Sequence, residues 1–221
     1  MKSTLGRPLT DTDYQKLEAE SWITREIADA AGIRRVNSQE GAEIVGRSNN
    51  KDYSGTVFPY REPGTEITRS YRLRRDNPDC EIRADGTRKV TEKYLTAPGE
   101  RNRLYYPPGL DPTILGDPST PIVIAEGEKK TLALWRLATY ETGTPRFIPV
   151  GISGVWNWRG KITRELGPDG TLHDVTGPIT DLDAITWNGR RVVILFDSDA
   201  ARKQEVRAAR RKLADELEGR V

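Results

Sequence analysis

Apolar residues are spaced in two rhythms along the chain, and the change between them marks its organisation. Over residues 1–50 the spacing predicts short helices: Thr24 stands at a cap position, Ile23, Ile27 and Ala31 recur every four residues, and Gly32 is a stop signal. Residues 51–106 change to strands, in GTVFPY, ITRSYRLR, VTEKYL and RLYYP, separated by the turn chemistry of PG, NPD, ADG and APGE. In SYRLR, Tyr71 and Leu73 alternate with Arg72 and Arg74, which predicts an antiparallel sheet with one packed and one basic face. PPGLDPTILGDPST (107–120) carries four prolines and reads as a boundary. Beyond it, PIVIAEG, RFIPVGISG and RVVILFDSD are continuous apolar runs. They alternate with the helical KKTLALWRLATY and ARKQEVRAARRKLADELEG, the latter with Val206, Ala209, Leu213 and Leu217 on one face. Apolar strands alternating with helices predict a parallel sheet covered on both sides. The expectation is an α/β protein in three parts: a helical segment (1–50), a small β-rich basic region (51–106), and a Rossmann-type parallel sheet flanked by helices (120–221).

Composition narrows the function classes. No run approaches the ~20 apolar residues of a membrane helix, and MKSTLGRPLT lacks the apolar stretch of a signal peptide. One cysteine, Cys80, allows no internal disulfide and, with one histidine, His173, no closed zinc site. The expected compartment is a reducing cytoplasm, and any metal would be held by carboxylates, which suits magnesium or manganese. Net charge is only +2, but RSYRLRR (69–75) carries four arginines and no acid.

Two of the parallel strands end in acids: Glu126 after PIVIA, and Asp197 with Asp199 after VVILF. In open parallel sheets ligands bind at the carboxyl ends of strands. Residues two apart in extended chain point the same way, so Asp197 and Asp199 can face one ion, and Glu126 joins them if the strands are neighbours. Convergent carboxylates repel, and a divalent cation relieves the repulsion. Such sites serve phosphoryl and nucleotidyl transfer.

PIVIAEGEKKTLAL, FIPVGISG and VVILFDSDAA together resemble the Toprim domain of primases, topoisomerases and some nucleases. TVFPYREPG, EKYLTAPGE and RNRLYYPPG resemble, in the same order, the segment that precedes Toprim in bacterial replicative primases. The closest likeness is to Toprim-bearing primase-like proteins of phages, plasmids and integrated elements, and it covers roughly residues 51–217. The resemblance implies that Glu126 is the Toprim glutamate, that Asp197 and Asp199 bind the metal, that Gly127 turns the backbone beside the site, and that Lys93 lies toward the nucleic-acid track. It implies magnesium-dependent nucleotidyl transfer on single-stranded DNA, with nucleoside triphosphates as substrates and primer synthesis in mobile-element replication as the task. A replicative helicase is the implied partner. A Toprim nuclease, or a non-catalytic nucleic-acid-binding module of a larger primase–helicase, are the alternatives. The family's zinc-binding domain is not found here, and the chain stops at GRV, where the family's last Toprim strand should begin.

Other residues carry two readings each. Lys129 and Lys130, after Gly127, either meet a triphosphate or belong to a solvated first turn. Arg69, Arg72, Arg74, Arg75, Lys93 and Arg101 either form a phosphate track or a solvated surface. Trp156 and Trp158 either stack on bases or pack a loop onto the sheet. Asp183 reads as a surface acid.

Overall fold

The computed structural model describes residues 5–48, 50–197 and 203–220. The chain divides into two compact units, Met1–Glu62 with Glu66–Glu100, and Pro63–Thr65 with Arg101–Val221.

In the first unit, three short helices each begin on a side-chain cap. Thr10 caps α1 (Asp11–Ser21), Thr24 caps α2 (Arg25–Ala30) and Asn37 caps α3 (Ser38–Ile44). Thr10 with Asp13, and Asn37 with Glu40, close reciprocal capping boxes that satisfy the first amides of helices too short to persist alone. A short strand, β1 (Arg34–Val36), joins β2 (Gly55–Arg61), β3 (Thr68–Arg75) and β6 (Tyr94–Leu95) in one antiparallel sheet. The helical segment thus supplies an edge strand to the sheet that follows it. β4 (Asp79–Ile82) and β5 (Arg88–Thr91) form a separate hairpin around the ADG turn. Val36, Ala42, Val45, Tyr53, Val57, Leu73 and Leu95 form one buried cluster of this unit.

The second unit holds a parallel sheet of β7 (Ile122–Glu126), β8 (Ile148–Ile152) and β11 (Val192–Leu195), in the order β11–β7–β8. α4 (Glu128–Ala138) connects β7 to β8, and α5 (Gln204–Glu218) follows β11. Ile122, Ile124, Ile148, Val150 and Ile152 share a buried cluster with Leu213 and Leu217 of α5. Full burial of each such side chain is worth about 1.5–3 kcal/mol. The expected double covering holds for β7 and β8 but not for β11, where Val193 and Leu195 remain 41% and 44% exposed. An antiparallel hairpin, β9 (Arg159–Leu166) and β10 (Leu172–Pro178), is inserted between β8 and β11. RLYYP forms no strand; Tyr105 instead makes a two-bond antiparallel bridge to Gly151.

The proline-rich segment before β7 is held by Arg190. This buried guanidinium donates to the backbone carbonyls of Leu115 (2.9 Å), Thr120 (3.2 Å) and Thr186 (2.7 Å). Burial pushes its pKa below the ordinary arginine value.

Candidate functional site

β7 and β11 are neighbours, as the acidic strand ends require. Leu195 lies opposite Ala125, which sets Glu126 level with Phe196 and one step short of Asp197. Glu126 continues the row of Ile122 and Ile124, whereas Asp197 continues the row of the exposed Val193 and Leu195. By the pleat the two positions therefore lie on opposite faces of the sheet and share only its carboxyl end, which the strand pattern alone did not anticipate. Asp199 lies outside the described residues. No group of three potential metal ligands occurs among the described residues.

The turn after Glu126 is built around Gly127, at φ 90° and ψ 163°. A side chain there would find open space, so the torsion angle, not crowding, demands glycine. Its N–H donates to the Ile152 carbonyl (2.8 Å), tying the turn to the end of β8. Its carbonyl accepts from the Thr131 hydroxyl (2.9 Å), which locks the start of α4. Thr131 is fully buried, and a Cβ at Gly151 would approach its Oγ1 to 2.5 Å. Sequence reasoning overlooked Thr131; a hydroxyl four residues after the turn glycine, at the spacing of one helical turn, is the signal that points to it.

The first turn of α4 carries the two lysines. Lys130 Nζ lies 2.5 Å from Asp197 Oδ1, with the two side chains 38% and 53% exposed. Lys129 is half-buried. The helix start thus delivers a cation directly to the acidic strand end. An ion pair this exposed contributes little to stability and is readily exchanged. Of the two tryptophans in the loop after β8, Trp158 is buried (5% exposed), whereas Trp156 is 39% exposed. Asp183 is occupied elsewhere, 2.8 Å from Arg220. His173 lies on β10, its ring against Thr171 and Asp169, and Cys80 is exposed on β4.

The run of arginines does not form one track. Arg75 is 2% exposed, and its guanidinium donates to the Asp52 carbonyl (2.7 Å) and to Asp79 (2.9 Å). Glu92 lies 3.9 Å away, and the ring of Tyr53 is stacked beneath it. A buried, neutralised guanidinium cannot reach a phosphate, so Arg75 leaves the set of nucleic-acid-binding residues. Arg72 and Arg74 are half-buried on the opposite face, with Arg72 over the Tyr94 ring (4.8 Å). Arg69 is also half-buried, and Lys93 is exposed. Arg101 is exposed but belongs to the second unit.

Residues 112–221 match the family model of a domain of unknown function (DUF3854). The matched stretch begins within the segment that Arg190 holds and contains Glu126, Gly127, Lys129, Lys130 and both aspartates. No curated protein and no solved structure matches the chain. No helix among the described residues is long and apolar enough to cross a membrane.

Proposed function

We propose that the second unit carries out a magnesium-dependent nucleotidyl transfer on single-stranded DNA, most simply primer synthesis. The observation that carries this reading is the register of β7 and β11. It sets Glu126 and Asp197 at the ends of adjacent parallel strands, with Lys130 on the helix that follows. The Toprim-like order of apolar strand, Glu-Gly, helix, and apolar strand with Asp-x-Asp supports it.

The donor set fits a hard cation. It is all oxygen, it is partly open to water, and magnesium takes one or two protein carboxylates while keeping water or phosphate oxygens for the rest of its shell. Glu126 and Asp197 would hold the ion, with Asp199 as the further candidate. Bound there, magnesium neutralises charge on the transferred phosphoryl group. The chain's own residues supply the remainder. Lys130, released from Asp197, brings a positive charge to the triphosphate. The Gly127 turn fixes where α4 begins. Trp156 offers an exposed ring on which a base can stack.

The test incubates the protein with single-stranded DNA, ribonucleotides and magnesium or manganese, and scores both primers and cleavage. Asp197→Asn is expected to lower primer yield at least about a hundredfold, while Asp183→Asn, an exposed acid paired with Arg220, leaves it unchanged. Cleavage lost in Asp197→Asn would identify a nuclease instead. DNA binding without chemistry would identify a non-catalytic module.

A further inference from the structure

The first unit contains a groove of about 520 Å³ that none of the sequence motifs addresses. Its size falls within the roughly 300–1,000 Å³ of small-ligand pockets. Its walls come from five elements: Tyr14 of α1, Asp29 of α2, Arg34 of β1, Pro59 and Arg61 of β2, and Tyr71 of β3.

The chemistry of these walls is specific. Tyr71 and Pro59 lie opposite one another across the β2–β3 pair, forming a flat apolar floor. Tyr71 is half-buried, and its hydroxyl has no hydrogen-bond partner among the described residues. The Arg34 side chain has no ion-pair or hydrogen-bond partner among them either, although guanidiniums in folded units usually acquire one. Tyr14 donates to Oδ1 of Asp29 (2.5 Å), which fixes the carboxylate and leaves its second oxygen without a hydrogen bond among the described residues. On its other side Tyr14 is capped by Arg25, 3.9 Å from the ring centre. Arg61 is anchored to the Ala30 carbonyl (3.0 Å) and to Glu66 (2.9 Å). Gly32, at φ +67°, lets it pass, because a Cβ there would lie 2.2 Å from its Nη2.

We infer that this groove binds one nucleotide. The base stacks on Tyr71, an exocyclic amine donates to the free oxygen of Asp29, and the phosphate meets Arg34. Stacking on an aromatic ring, a carboxylate accepting from a base amine, and an arginine on a phosphate are the three elementary contacts of nucleotide recognition. Here they line one groove. The same chemistry serves a nucleotide within a single strand and a free nucleoside triphosphate. The inference shares with the proposed reaction only the class of ligand, and its test reads binding rather than chemistry.

The full chain is photo-cross-linked in two arms, one with an iodouracil-bearing oligodeoxynucleotide and one with azidoadenosine triphosphate, and adducts are mapped by mass spectrometry. Adducts on Tyr71 or Tyr14 in the first arm establish a strand site, and in the second arm a free-nucleotide site. In either case the groove is a nucleotide site. Affinity is then followed by anisotropy with fluorescein-labelled oligothymidylate or a fluorescent triphosphate, whichever arm cross-links. Tyr71→Ala is expected to weaken binding roughly tenfold or more, and Tyr71→Phe to preserve it. Arg34→Gln, which leaves the core intact, is expected to weaken binding and to flatten its salt dependence by about one charge. Absence of groove adducts in both arms, or unchanged affinity in both Tyr71→Ala and Arg34→Gln, overturns the proposal. A protein inactive in primer synthesis that still cross-links at Tyr71 refutes the reaction and leaves the groove standing.

Discussion

The arginines of β3 and the acids beyond β7 and β11 are charged residues of strands in two sheets, and the two units treat them in opposite ways. In the antiparallel sheet Arg75 is drawn inside and neutralised by Asp79 and Glu92, which arrive from other segments. In the parallel sheet Asp197 stays at the surface and, among the described residues, meets a half-exposed lysine. A parallel strand has its carboxyl end placed by topology, so a charge there stays accessible whatever its neighbours do. A charge within an antiparallel strand has no such guarantee. Its face is set by the pleat, and its partners are set by turns and hairpins elsewhere in the chain.

This contrast can be broken most directly at Arg75. Arg75→Met is expected to destabilise the first unit by about 2–3 kcal/mol, somewhat less than for a fully buried pair because Asp79 keeps contact with water. Chemical denaturation followed by circular dichroism measures it, and a change below about 0.5 kcal/mol would show the guanidinium to be dispensable.

Acid sharpens the comparison next. Hydrogen bonds from Arg75 and Lys51 hold Asp79 down to about 2. Burial raises the Asp13 pKa, but hydrogen bonds from Arg35 and Thr10 outweigh it and bring that carboxyl to about 2 as well. Both groups bind a proton less readily folded than unfolded. Their contribution is therefore complete above the unfolded carboxylate pKa and is lost as pH falls through about 2. Urea midpoints are expected to decline from about pH 4 downward, and the double variant Asp13→Asn/Asp79→Asn to show a flatter profile. An identical profile would remove these ion pairs from the account.

The smallest effect belongs to Lys130. Lys130→Ala is expected to change stability by less than about 0.5 kcal/mol. It should raise manganese affinity, read by paramagnetic resonance, because it frees Asp197. Unchanged manganese binding would separate Asp197 from any cation site.

The same contrast explains what could be read before the structure was known. Ile122–Glu126, Glu128–Ala138, Val192–Leu195 and Gln204–Glu218 follow from apolar runs and helical spacing, and the neighbouring strands bring Glu126 and Asp197 to one end. The β9–β10 hairpin was hidden because its apolar residues stay outside. Ile162, Leu166 and Leu172 are all more than half exposed, so its sequence reads as a polar loop. β1 was hidden because three residues carry too little pattern. Arg75 was misread although the alternation of β3 puts it in the packed row of Tyr71 and Leu73, because the acids that neutralise it there lie beyond the strand. The groove of Tyr14, Asp29, Arg34 and Tyr71 was illegible for the same reason, since its members are adjacent only after folding.

Arg190 gives the second unit a joint of a different kind. Its partners are peptide carbonyls, which no proton at ordinary acidity can discharge. The first unit is laced by carboxylates that titrate. The segment leading into β7 has titrating turns of its own, at Asp111 and Asp117, but the bonds with which Arg190 rivets it do not titrate. As the medium sours, lacing and turns slacken together, while the rivet keeps its grip on the segment ahead of the strand that ends in Glu126.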